Sequence, residues 1–589
     1  MVIKRFTPGE LIFVKYITTR LFTLIAILSL STVGFSQASV STAKGAPDRA
    51  VSVTGKAPAK PVTVEVIQDD IKEALSVIQG NYVGAKTLDY NEVFKSSIDS
   101  MLHTLDPHSN YFDAKEFEQF KTDQSSRYFG IGATIGDLSD ADGKVIATYI
   151  KATFEGAPAN RGGLRYGDQI VEVNGTSMLG KPFSEVRTFL RGPQGTAAKI
   201  VVERLATGKR ETVEIIRDAV PQPSISEAYM IRPGIGYINM NGGFNQTTYN
   251  EFVQDMRQLT AAGMQQLVID LRNNGGGLVS QAYRVANAFL SEGQVVFSQK
   301  GRMEGATDPP YRSVNRTPNR SPIVMLVNRN TASASEILAG ALQDHDRALI
   351  VGEDTFGKGL VQNPFQLEYG TMLLLTIAKY ETPAGRLIQR DYSNGELYNY
   401  YTEGGSLRDE TPESTKIRGV ESKTDTGRAV YSGGGINPDV AIKPQTITNE
   451  RGRIQAKIAV PAFAFSLDLV AGKVRGLESY KVDKPITFDY DLKATDYPIT
   501  EAVYASFKQF AADKYKITAS QIDREREFVE RILRTELVTA AFGTQTSSQV
   551  FNDYDNQLLK AIELLPQARQ LAIQSERAKI AGKQKSSIN

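Results

Sequence analysis

Apolar residues at Ile71, Ala74, Leu75 and Ile78, and again at Val93, Ile98, Met101 and Leu102, fall at helical spacing and predict an N-terminal helical domain over 63–122. From 219 to 446 the pattern changes to short apolar runs, Leu267 to Leu271, Ile323 to Val327, Ala348 to Gly352 and Met372 to Lys379, which alternate with helical stretches such as 281–290. That alternation predicts an α/β core with mixed strands. Phe528, Ile532, Leu533 and Leu537 carry a last helical rhythm, so 447–589 reads as a mostly helical extension without a catalytic motif. The stretches 293–322 and 391–434 read as long polar insertions. At the other end, Lys4, Arg5, Lys15 and Arg20 precede an apolar run from Leu21 to Phe35. This run is shorter than the about 20 residues of a membrane span but suits a signal-peptide core, so 1–36 is expected to direct export, with cleavage near Ser36 and Gln37. Residues 37–62, rich in Ala, Ser, Lys and Pro, are expected to be a disordered linker. The expected address is the periplasm; an uncleaved run would instead anchor the chain at the periplasmic face of the inner membrane.

Composition narrows the chemistry. The 589 residues carry 68 Lys and Arg against 66 Asp and Glu, a net charge of +2, and the basic residues are dispersed, so no nucleic-acid partner is expected. The absence of cysteine excludes thiol proteases, Cys-ligated zinc, thioredoxin-type chemistry and a lipoprotein anchor. Of three histidines, His103 and His108 lie far upstream and His345 sits in a turn after the helix that starts beside Ser333, so a Ser-His-Asp triad would need a domain rearrangement. No HExxH or strand-linked GxGxxG is present, and neither metal nor cofactor is expected. Gly352 to Lys358 copies the first seven positions of a Walker loop, but Gly359 stands where the Mg²⁺-binding hydroxyl is required.

The segment from Thr331 to Gln362 holds the remaining chemistry. Ala334 to Gln343 reads as a helix climbing about 15 Å, and Ala348 to Gly352 as a strand returning about 16 Å, which brings Lys358 back to the level of Ser333. Ser333 with Glu336 is also a capping box, so a helix cap competes with a nucleophile there. Gly357, Gly359, Thr331, Ala332 and Ala334 leave small neighbours around the pair, as though a substrate backbone passed close by. A lysine base must be neutral, and Phe356, Leu360 and Val361 are candidates for the apolar wall that depresses its pKa. Gln362 shares a face with Lys358 if the segment is extended, which sets its amide oxygen to hold the amine. For the oxyanion, the strand from Leu267 runs into Gly275-Gly-Gly277; Gly276 or Gly277, with the Ala334 N–H, would supply donors, and the sequence does not choose between the two glycines. Tyr128-Phe-Gly-Ile-Gly132 is an aromatic-glycine loop of the kind whose amides nest a carboxylate.

These motifs together resemble the carboxy-terminal processing peptidases, or tail-specific proteases. Thr331 to Glu336, Gly352 to Gly359 with Gln362, and the Asp270 to Gly277 loop match, as do Tyr380 to Arg386, Gly435 to Asp439 and Leu105 to Ser109. The resemblance puts the nucleophile on Ser333 and not Ser335, and the base on Lys358, 25 residues later. It also assigns the orienting amide to Gln362, one oxyanion donor to Ala334 and another to Gly276 or Gly277. Gly156 to Gly175 resembles a PDZ domain, expected over 123–218. That likeness implies strand addition by a substrate tail, its carboxylate on the Gly130 to Gly132 amides and its last side chain near Phe129 and Ile131, with Arg191 as a link from the occupied PDZ domain to the protease. The implied fold is α/β, a spiral ββα core like that of Clp protease and crotonase enzymes, with an inserted PDZ domain and helices at both ends. The implied activity is that of a serine endopeptidase acting on proteins with free, apolar C-termini, in a homo-oligomer of two or more copies; an adaptor protein is a further partner to look for. A catalytically silent PDZ scaffold and a crotonase-like acyl-CoA enzyme are the alternatives.

Overall fold

Ile323–Val327, five buried apolar residues in a row, runs through the middle of a six-stranded sheet in the computed structural model of the chain. The structure describes residues 63–303, 309–393, 397–402 and 419–586; the expected signal and linker, 1–62, lie outside them. The sheet order is Glu227–Arg232, Ile235–Asn239, Gln266–Asp270, Ile323–Val327, Ala348–Gly352 and Val440–Ala441. The first pair is antiparallel and the rest are parallel. Parallel strands need cover on both faces, which explains their unbroken apolar runs. Ile269, Met325 and Ile350 face one way, into a core shared with the helices Val279–Asn287 and Ala334–Asp344. Val268, Val324, Leu326, Leu349 and Val351 face the other way, against Leu558, Leu565 and Leu571 of the final helices. Each of those leucines contributes about 2 kcal/mol by burial. The helical extension is thus part of the α/β core, a role its own sequence does not disclose.

A second, antiparallel sheet carries the lysine side of the site. Leu360–Gln366 pairs with Met372–Glu381, which also pairs with Asn110–Phe112 and Val295–Gly301. The polar stretch 293–322 therefore contributes a core strand and is not simply an insertion.

The chain divides into two compact units, 1–105 and 106–589. In the first, the described helices are Val64–Asn81, capped by Thr63, and Tyr90–His103, capped by Asp89. The helical domain expected over 63–122 therefore ends sooner: Asp106 to Thr122 belong to the second unit, because Asn110–Phe112 is hydrogen-bonded into the lysine sheet.

The segment expected to be a PDZ domain enters and leaves through a two-stranded ribbon, Arg127–Gly130 with Asp218–Pro221. Its sheet runs Ala133–Ser139, Val145–Thr153, Gln169–Val173, Ala197–Glu203, Arg210–Ile216, so Ala133–Ser139 is an edge strand. On the C-terminal side it is pinned by Glu536, whose carboxylate accepts from Lys151 Nζ at 2.5 Å and the Tyr166 hydroxyl at 2.8 Å, while Lys151 lies 4.3 Å over the Phe463 ring.

Candidate active site

Ser333 sits where the 323–327 strand has turned toward its helix, with φ 57° and ψ −119°. That is the mirror image of ordinary extended backbone, costing a side-chain-bearing residue roughly 1–3 kcal/mol. Surrounding bonds hold it there: Ala332 N–H donates to the Asn274 carbonyl at 3.0 Å, Thr331 Oγ1 to Leu271 O at 2.9 Å, and the Tyr380 hydroxyl to the Ser333 carbonyl at 3.1 Å. Glycine adopts this conformation freely, so Ser333→Gly is expected to unfold at higher denaturant than Ser333→Ala, by about 1 kcal/mol. Equal midpoints for the two would show an unstrained turn.

Glu336, fully buried, ties the serine to the lysine loop. Its Oε2 accepts from the Ser333 N–H at 2.8 Å and the Lys358 N–H at 2.9 Å; its Oε1 accepts from the Gly357 N–H at 2.7 Å and from the Thr355 hydroxyl. Burial pushes its pKa up against those four bonds. The Walker-like loop thus spends its amides on a carboxylate of the same chain, which leaves no phosphate cradle.

Lys358 extends its amine to Gln362 Oε1 at 2.7 Å, and Gln362 Nε2 donates to the His108 carbonyl at 2.6 Å. Burial lowers the amine to about 8, outweighing Asp106 and Glu336, whose charges pull upward. Phe356 and Leu360 are buried and Val361 packs against the main core, as an apolar wall requires. Two of the small neighbours, Gly357 and Gly359, have a different use from the one expected. A Cβ on Gly357 would come 2.7 Å from Arg390 Cγ, and one on Gly359 would come 2.9 Å from the Gln389 nitrogen, so residues 389–390 of the same chain fill that space and not a substrate.

The triple-glycine loop lies against the serine. A Cβ on Gly276 would meet Ser333 Cβ at 2.7 Å and Ala334 N at 2.9 Å; its φ is +98°. Its N–H donates to Asn274 Oδ1 at 2.9 Å. The Gly277 position is closed by Phe244, whose carbonyl would stand 2.1 Å from a Cβ. Ala334 opens its helix, where N–H groups lack helical partners.

In the PDZ domain, the Ile131 carbonyl accepts from Ala159 N–H at 2.7 Å and the Gly132 carbonyl from Phe154 N–H at 3.1 Å. Because a trans peptide sets C=O and the following N–H in opposite directions, the N–H groups of Gly132 and Ala133 point away from those partners, toward the edge strand's open side. Phe129 is exposed, whereas the Ile131 side chain is packed in the PDZ core and is not open to a tail pocket. Arg191 stacks 4.9 Å over Tyr128, beside Gly130, and burial lowers its pKa.

Residues 234–394 match the model of peptidase family S41, and residues 150–204 that of the PDZ domain. The carboxy-terminal-processing protease of Bartonella bacilliformis is 32% identical over 305 residues, 51% of this chain and 68% of that protein. The chain belongs to peptidase family S41. The carboxyl-terminal-processing protease of Picosynechococcus is 33% identical over 292 residues, 49% of this chain and 68% of that one. Among solved structures, the photosystem II D1 C-terminal processing protease is 27% identical, the match covering 65% of this chain and 94% of that chain, with a TM-score of 0.32. This S41 chain is a serine peptidase with a PDZ domain, and the relatives it matches are named carboxy-terminal-processing proteases.

Sequence reasoning missed three parts of this S41 site. His108 was placed far from Ser333, yet the 106–109 turn folds onto the lysine loop and the His108 ring lies 6.1 Å from Phe356; its Nε2 bonds Tyr400. Glu336 reads locally as a cap, and only the folded loop reveals its four donors. Tyr400 comes from the stretch read as an insertion, and Arg390 immediately precedes that stretch; the Arg390 guanidinium packs on both the Phe356 and Tyr400 rings, at 4.4 and 4.3 Å. The Tyr380 and Gly435 motifs act from behind, through Tyr380 on Ser333 and Ile436 N–H on Thr355 Oγ1 at 2.7 Å.

Proposed function

We propose that the chain hydrolyses peptide bonds with Ser333 as nucleophile and Lys358 as general base. The observation that carries this reading is a half-buried lysine, its amine lowered to about 8 and aimed by Gln362, on a loop that Glu336 fastens to the Ser333 main chain. About one lysine in five is then uncharged at pH 7.4, against about one in a thousand for a free side chain. The neutral amine takes the Ser333 proton as Oγ attacks the scissile carbonyl, and the ammonium returns it to the leaving amine. The acyl-enzyme is hydrolysed by water activated on the same amine. The oxyanion rests on the Ala334 and Gly277 N–H groups, since the Gly276 N–H is engaged by Asn274.

Substrates are exported proteins with free, apolar C-termini. The tail adds as a strand to Ala133–Ser139, its carboxylate on the Gly132 and Ala133 amides with Arg191 near by, its last side chain against Phe129. The expected 1–36 signal delivers the enzyme to the periplasm, where these substrates are met. An unfolded polypeptide with an apolar tail is expected to be cleaved at least tenfold faster than the same chain amidated at its C-terminus; equal rates would rule out tail recognition.

A further inference from the structure

A closed circuit of hydrogen bonds surrounds the lysine. Lys358 Nζ donates to Gln362 Oε1 at 2.7 Å and Gln362 Nε2 to the His108 carbonyl at 2.6 Å; His108 Nε2 and the Tyr400 hydroxyl are bonded at 2.9 Å. Gln389 Nε2 donates to that hydroxyl at 3.1 Å, and Gln389 Oε1 accepts the Gly359 N–H at 2.8 Å, one residue after Lys358. Two of these partners fix the direction of the whole ring. A main-chain carbonyl can only accept, so the Gln362 NH₂ must face His108 and its oxygen must face Lys358. A main-chain N–H can only donate, so the Gln389 oxygen faces Gly359 and its NH₂ faces Tyr400.

We propose that His108 is a positioning residue for the Lys358–Gln362 pair: its carbonyl sets the amide's orientation, and its ring, pinned by Tyr400, holds that carbonyl in place and closes the site to water. The inference rests on Lys358 being the base. The turn is built for the task. Asp106 Oδ1 accepts the His108 and Ser109 N–H groups, each at 2.8 Å, and Asp106 Oδ2 accepts the Ser109 hydroxyl at 2.7 Å. Ser109 Oγ in turn accepts the N–H of Thr376 at 3.1 Å, and Thr376 is the strand partner of Gln362. The His108 ring is buried among Phe356, Tyr400 and Tyr401. Burial, with the charges of Lys358 and Arg390, keeps it neutral, and Tyr400 is raised to about 12, so neither titrates near the working range. Lys358 faces Asp106 and Glu336 as well.

The test is the pH profile of kcat/KM on an unfolded protein substrate for the wild type, His108→Ala, Tyr400→Phe and Lys358→Ala, with thermal melts of each. Opening the ring lets water recharge the amine. His108→Ala is therefore expected to lower kcat at pH 7 about tenfold, with KM within twofold, and to move the acid limb up by about one pH unit, so that most of the loss is recovered by pH 9.5. Tyr400→Phe, which removes only a hydroxyl, is expected to move the limb in the same direction by less and serves alone if His108→Ala does not fold. A loss of equal proportion at every pH, or unchanged profiles in Tyr400→Phe, overturns the inference while an inactive Lys358→Ala leaves the dyad standing. An active Lys358→Ala overturns both.

Discussion

Lys358→Ala is expected to lower kcat/KM by about 10³-fold or more while leaving the protein folded, because general-base catalysis contributes on the order of 10²–10⁴. In the wild type, activity should rise with pH through about 8 and level off above it, since only the neutral amine can take the serine's proton. The same displacement has a stability consequence. The folded pKa of about 8 lies below the unfolded value of about 10.4, so between these pH values the unfolded chain holds a proton that the folded one has lost. Stability from this group therefore rises with pH across that window, and below it the buried charge costs about 3 kcal/mol. Lys358→Met should lose the dependence. An activity profile flat between pH 6 and 9, in a protein whose melting shows no such slope, would remove the lowered amine from the mechanism.

Glu336→Ala is expected to cost about 3–5 kcal/mol of unfolding free energy and nearly all activity. The substitution takes the acceptor from three main-chain N–H groups and from the Thr355 hydroxyl around a fully buried position, each lost N–H partner costing about 1–3 kcal/mol before relaxation. Glu336→Gln should fare little better, because its NH₂ must confront two donors that the carboxylate oxygen accepted. Chemical denaturation gives the first quantity, and amide hydrogen exchange at Gly357 and Lys358 shows whether the loop has come loose. A variant with wild-type stability and protected amides would mean that the loop is held by something else.

What was legible in the chain follows from range. The Ile323 and Ala348 strands and the Ala334 helix could be placed to within a residue, because each is a short, strongly apolar segment bounded by turn residues. The 106–109 turn was misplaced because its helical neighbours dominate the local pattern, while the bonds that claim it run to Thr376, Gln362 and Tyr400, more than 250 positions away. Gly357 and Gly359 misled for a related reason: small residues announce a close approach but not by whom, and here Gln389 and Arg390 make it.

The apolar strands of the six-stranded sheet and the exclusion of thiol chemistry followed from the sequence alone, since they depend on residue type and near spacing, and the proposed pairing of Ser333 with Lys358 came from the motif resemblance. Three things were decided only by tertiary structure: which glycine keeps an open amide, which way Gln362 faces, and how far the lysine is discharged. Each is set by distant groups, Asn274, the His108 carbonyl and the apolar walls in turn, and no local pattern records a contact that exists only once the chain has closed on itself.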